Sequence, residues 1–218
     1  MSALASPRLA RLAQGRAVAQ PAPDAGERTR PTSSGSTGCD VCGEPLEPEH
    51  RHVADLEHQR LLCACRACRI LFDRTAAGGG HFRLIPERSR ALPGFVLDDA
   101  GWAALRIPVD VAFFFSSTPA GRVVALYPGP MGATESLLEL EAWDDLVAAN
   151  PVLAEMEPDT EALLVHRAGG ARDHFIVPID RAYRLVGTIR ASWKGLGGGN
   201  QVWREIADFF EQLSREAE

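Results

Sequence analysis

Two kinds of hydrophobic periodicity divide the chain. Near the C-terminus, Val202, Ile206, Phe209, Phe210 and Leu213 recur at spacings of three to four. That is the stripe of an amphipathic helix with one face on a core. Asn200 just before it is a residue type suited to capping its start. Further upstream "DDAGWAALR" (98–106) opens on cap-type aspartates and reads as a short helix. "EAWDDLVAANPVLAEM" (141–156) reads as a longer one, with Pro151 ending or kinking its first half.

Between these lie runs of strand character. "HFRLIP" (81–86) is a short candidate strand, and "VDVAFFFSS" (109–117) a buried one. The latter pairs naturally with "RVVALYPG" (122–129) through a turn at Pro119–Gly121. "TESLLEL" (134–140) adds another, and "TEALLVHRA" (160–168) and "DHFIVPIDRAYRLVGTIRASW" (173–193) together give two or three more. Strands near one another in sequence, interspersed with and followed by helices, predict an α+β domain over residues 81–218 with an antiparallel or mixed sheet and a C-terminal helix.

Ahead of that domain the pattern changes. Residues 1–36 are rich in Ala, Pro, Ser, Gly and Arg and have little apolar periodicity, so a disordered tail is expected there. "TAAGGG" (75–80) reads as a flexible joint. Between tail and joint, residues 37–75 hold all five cysteines and three of the six histidines: His50, His52 and His58.

Composition narrows the class. With 45% hydrophobic and 24% charged residues the chain is an ordinary globular one. The net charge of −6 speaks against a general nucleic-acid binder. No apolar run is long enough to span a membrane, and the N-terminus lacks the apolar core of a secretory signal. A cytoplasmic location with reduced thiols is the expectation, and clustered reduced thiols favour a metal over disulfides.

The cysteine spacing then becomes informative. Cys39-x2-Cys42 is followed by Gly43, and Cys65-x2-Cys68 follows after 22 intervening residues. Two residues between ligands let both sulfurs reach one ion, and a glycine after the second cysteine supplies the positive-φ turn of a tight knuckle. "HRHVADL" and "RLLCA" between the pairs read as two strands joined at Glu57–Gln59, which would return the second pair beside the first. The reading is a zinc-ribbon-like module with Cys39, Cys42, Cys65 and Cys68 as metal ligands. Zinc is the expected ion and iron, as in rubredoxin-like modules, the alternative. Cys63 has three readings: a replacement for Cys65, a reactive thiol beside the site, or a small buried apolar residue, of which the last is preferred. His52 is a candidate fourth ligand in a Cys3His variant. Arg60, Arg66 and Arg69 are placed to offset thiolate charge.

Other motifs carry less. The glycines of "GLGGGNQVW" (195–203) lack the context of a nucleotide-binding loop and read as a linker. His166 and His174 flank a hairpin-type turn and read as polar surface. No triad or carboxylate pair suggests catalysis; whether the chain is an enzyme stays open, with a non-enzyme preferred over an enzyme that uses Gly195–Asn200 as a ligand loop. A nucleic-acid-binding zinc-ribbon regulator stays open as a function, with little aromatic stacking capacity to support it.

The run "CDVCGEPLEPEHRHVADLEHQRLLCACRACRILF", together with "WKGLGGGNQVWREIADFFEQL", resembles a family of uncharacterised proteins encoded beside actinobacterial-type high-affinity nickel–iron uptake hydrogenases. The likeness covers about residues 37–217. It implies a metal-binding accessory protein around a nickel–iron hydrogenase, in maturation, assembly or operation, with a hydrogenase subunit or maturation factor as partner. It implies no reaction.

Overall fold

The computed structural model describes residues 38–72, 80–138, 140–195 and 198–218. The expected 1–36 tail and nearly all of the 75–80 joint lie outside the described residues. The fold is α+β, built on two antiparallel sheets and closed by a C-terminal helix. Both sheets lie within one compact unit, Ser36–Glu218.

The small sheet begins with a hairpin, β1 (Arg51–Asp55) and β2 (Arg60–Ala64). Its turn is held by buried Asp55, whose carboxylate accepts from the backbone and ring nitrogens of His58 and from Arg60 Nε. Helix α1 (Arg66–Leu71) follows. Strand β3 (Phe82–Leu84) then pairs with the free edge of β1, giving the order β2-β1-β3. From sequence this strand reads as the start of the following domain; its hydrogen bonds put it in the cysteine-bearing sheet.

The large sheet has six strands, all antiparallel: β4 (Arg90–Ala91), β5 (Val111–Ser117), β6 (Arg122–Gly129), β7 (Gly132–Ser136), β8 (Glu161–His166) and β9 (Asp173–Pro178). Their order is β4-β9-β8-β5-β6-β7. Side-chain alternation splits it into two buried faces. Val111, Phe113, Leu126, Leu164, Phe175 and Val177 point to one side. There α4 (Ile179–Ser192) and α5 (Gly199–Glu216) cover them with Leu185, Val186, Ile189, Val202, Ile206, Phe210 and Leu213. Ala112, Phe114, Ala125, Leu163, Val165 and Ile176 point to the other side. They meet Trp102 of α2 (Asp99–Ala104), Trp143 and Leu146 of α3 (Leu140–Ala149), and Leu153 and Met156. A sheet buried on both faces explains the near-continuous apolar runs of β5 and β8.

Three expectations change. The stretch 173–193 supplies one strand, β9, and then helix α4 rather than further strands. Its Val, Ile and Thr content suits a strand. Yet Ile179, Ala182, Leu185, Val186 and Ile189 recur at helical spacing and are all buried, so tertiary burial decides. The strand expected at 134–140 is Gly132–Ser136, and Leu140 already opens α3. Asn200 lies in the first turn of α5, whose cap is Gly198 at φ 79°. A side chain there would meet Val202 at 2.7 Å, so the tight entry needs glycine.

Phe210 is the keystone of the α5 contact. It is buried and stacks on His166 with ring centroids 4.1 Å apart. Phe210→Ala should lower unfolding free energy by about 3–5 kcal/mol, and Phe209→Ala, at the half-buried margin, by clearly less. Urea melts of the two variants check this; equal losses would contradict it.

His174 gives a pH signature. It is 6% exposed, stacks on Phe95 at 4.5 Å, and its Nε2 has no hydrogen-bond partner among the described residues. Burial, reinforced by the nearby Arg167 guanidinium, pulls its pKa down to about 4. Between about pH 6.5 and 4 the unfolded chain binds a proton that the folded chain refuses. Stability is therefore full above that window and falls as pH drops through it, by up to roughly 3 kcal/mol. His174→Leu should flatten this part of the stability–pH curve in urea melts.

Candidate metal centre

The first cysteine pair sits in a knuckle of residues 39–43. Cys39 N donates to Glu44 O at 2.7 Å and Gly43 N to Cys39 O at 2.8 Å, with Gly43 at φ 80°. Asp40 ties this knuckle to the hairpin. Its N–H donates to Cys63 O at 2.9 Å, and its carboxylate accepts from Cys63 N at 2.7 Å. Asp40 has no local sequence pattern to mark it for this role.

The second pair uses a helix start. Cys65 is the N-cap of α1, and its Sγ accepts from Cys68 N at 3.4 Å. Cys65 N in turn donates to Cys39 Sγ at 3.3 Å. The hairpin thus returns the second pair to the first, and the Sγ atoms of Cys39, Cys42, Cys65 and Cys68 all lie within 4.8 Å of one another. Cys42 and Cys65 are 3.7 Å apart. A tetrahedron of metal–sulfur bonds of about 2.3 Å has edges of about 3.8 Å. The donor set therefore fits one thiophilic ion.

The thiols' own chemistry points the same way. Burial raises Cys39, but N–H groups of Cys65, Cys42 and Val41 outweigh it and bring its pKa down to about 6. Cys68 is pushed up by its contact with Cys42, by burial and by the other two thiols. For Cys42, the Glu44 N–H and the Cys68 thiol pull down, yet burial and the Cys39 and Cys65 thiols leave it raised. Four thiols packed together cannot all ionise unaided; a dication removes that conflict.

The remaining candidates separate from this cluster. His52 stands opposite Cys63 across the β1–β2 ladder, on the hairpin face away from the four thiols. It groups with His50 and Cys63, whose candidate ligand atoms also lie within 4.8 Å of one another. Cys63 is half-buried in that group. It differs from Cys65 because the strand ends at Ala64 and the chain turns into the α1 cap, so strand alternation no longer holds. Arg60 is bound to Asp55. His166 and His174 sit on opposite faces of the large sheet, both buried: His166 lies against Phe210 and His174 against Phe95. No helix of the described residues is long and apolar enough to cross a membrane.

Fold and site together define an α+β protein carrying a four-thiol cluster that can hold a metal ion. The chain belongs to a protein family of unknown function, DUF5947, whose match runs over residues 38–217. No curated protein and no solved structure matches it.

Replacing Cys39, Cys42 or Cys68 with serine should leave no ion at the four thiols after dialysis against a weak chelator, whereas Cys63→Ser should retain it. Elemental analysis of the dialysed proteins reads this directly. Because Cys42 and Cys68 must lose protons as the ion enters, affinity should fall as pH is lowered from 8 toward about 6.

Proposed function

We propose that the four thiols hold zinc in a closed, structural site, and that the protein is a metal-binding accessory factor of a nickel–iron hydrogenase. The observation that carries the structural role is the make-up of the small core. Its buried residues are Val53, Leu62 and Ala64 together with Cys39, Cys65 and Cys68. With half of its buried residues serving as ligands, the module has little apolar mass of its own. Ion binding then supplies its folding free energy, on the order of 10–16 kcal/mol for structural zinc. Four thiolates leave no open position to activate water, so the site staples rather than catalyses. Support for the hydrogenase association is the likeness of the Cys39–Phe72 run and of the Trp193–Leu213 run to proteins encoded beside such enzymes.

The second reading is a rubredoxin-like iron centre for electron transfer. It is favoured by the exposure of Cys42, which brings one edge of the cluster to the surface. Protein purified without a tag and without added metal should be colourless and contain zinc. A reddish protein with thiolate-to-iron charge-transfer bands would favour the second reading. Affinity capture from hydrogen-oxidising cells, read by mass spectrometry, should recover a hydrogenase subunit or maturation protein; its absence would remove the association.

A further inference from the structure

The other face of the same hairpin carries a second group of metal-type donors. His50, just ahead of β1, lies beside His52, and Cys63 is the cross-strand partner of His52. One nitrogen of each ring and Cys63 Sγ lie within 4.8 Å of one another. The two rings are 5.0 Å apart and tilted by 59°.

The hydrogen bonds around the rings set their tautomers. His50 Nδ1 lies 2.9 Å from Glu47 O, and a carbonyl only accepts, so Nδ1 carries the proton. His52 Nδ1 lies 2.8 Å from Asp180 Oδ2, again an acceptor. In the neutral rings both Nε2 atoms therefore hold lone pairs. His50 Nε2 is buried and has no hydrogen-bond partner among the described residues. A buried acceptor left so carries the cost of its lost hydration and needs an explanation. A carboxylate or carbonyl behind each Nδ1–H is also the arrangement that orients imidazole ligands on metals and raises their basicity.

We propose that His50, His52 and Cys63 form a second metal site, separate from the four thiols, for a borderline divalent transition-metal ion. Two imidazoles and one thiolate suit zinc, cobalt, nickel or copper and not the oxygen-seeking magnesium or calcium. On binding, the Cys63 thiol proton leaves to solvent, and the ion is held by two Nε2 atoms and one Sγ. Bonds of about 2.0–2.3 Å bring such atoms about 3.3–3.5 Å apart, a closure within reach of side-chain rotation. Three protein ligands leave one coordination position open, for water or an incoming donor. Asp180 belongs to the first turn of α4, so the ion is clamped where the small sheet meets the main domain. The inference does not depend on which ion the four thiols hold.

The test counts ions on the full-length protein. With Zn²⁺ in modest excess and no chelator, native mass spectrometry should find two ions per chain, and His50→Ala/His52→Ala or Cys63→Ser should find one. Asp180→Asn should weaken the second ion by about 10–100-fold and leave the first unchanged, while His58→Ala should change neither. With Co²⁺ at both sites, added imidazole should shift the visible bands of the open site alone. A single ion on folded wild-type protein would overturn the proposal whatever the variants do. So would two ions that persist in the His50→Ala/His52→Ala protein.

Discussion

Strand β1 is buried on both sides, and that constraint organises the molecule. Val53 is 0% exposed and faces the cysteine core; its neighbour Ala54 is 4% exposed and faces Ile85 and Ile179 at the join with the main domain. Strand alternation makes these two demands inseparable. A slip of one residue would send Val53 toward α4 and His52 toward the thiols. The register seen, with His52 opposite Cys63 and Val53 opposite Leu62, is the one that keeps each donor set on its own face.

The join between the small sheet and the main domain mixes apolar contact with a few directed bonds. Leu56, Leu61, Phe115 and Tyr183 surround the Ala54–Ile85–Ile179 contact. Arg83 of β3 donates to Pro158 O and pairs with Asp159, which also accepts from Thr118. Asp159 has φ 66°, a backbone state that a non-glycine residue adopts only when its surroundings enforce it. These bonds hold the loop before β8 and the β5–β6 turn to the small sheet. Helix α4 serves both bodies: Ile179 and Asp180 meet the small sheet, while Leu185 and Ile189 bury on the large one.

Much of this was legible in residue patterns, and the failures have physical causes. The α5 stripe, the β5–β6 hairpin and the cysteine spacing are local, strongly periodic signals, so the helix, the hairpin and the approach of Cys39, Cys42, Cys65 and Cys68 could be read directly. Helix α4 was not, because its β-branched residues mimic a strand and only the sheet beneath reveals a helical face. Asp40 and Asp180 were invisible for a different reason. Each acts through a partner far along the chain: 23 residues away for Asp40, whose carboxylate accepts from Cys63 N, and 128 for Asp180. The His50–His52 pair did carry a signal, two histidines at strand spacing, but its meaning depended on the cross-strand position of Cys63.

The two donor sets differ in what an ion could do at each. At the four thiols a cation would relieve the charge conflict among neighbouring sulfurs, and three of the cysteines are part of the small core, so an ion bound there would be linked to folding. At the histidine face the donors lie on strands that β3, Asp55 and α4 also brace, so with the four-thiol site filled the structure there precedes a second ion. Removing an ion from the first set would therefore melt the module. The second set would keep its shape and expose its lone pairs. A preformed, three-donor set at the margin of a join is suited to exchange, whereas a closed set inside a core is suited to permanence. The alternation of one five-residue strand, β1, is what permits both on a single hairpin.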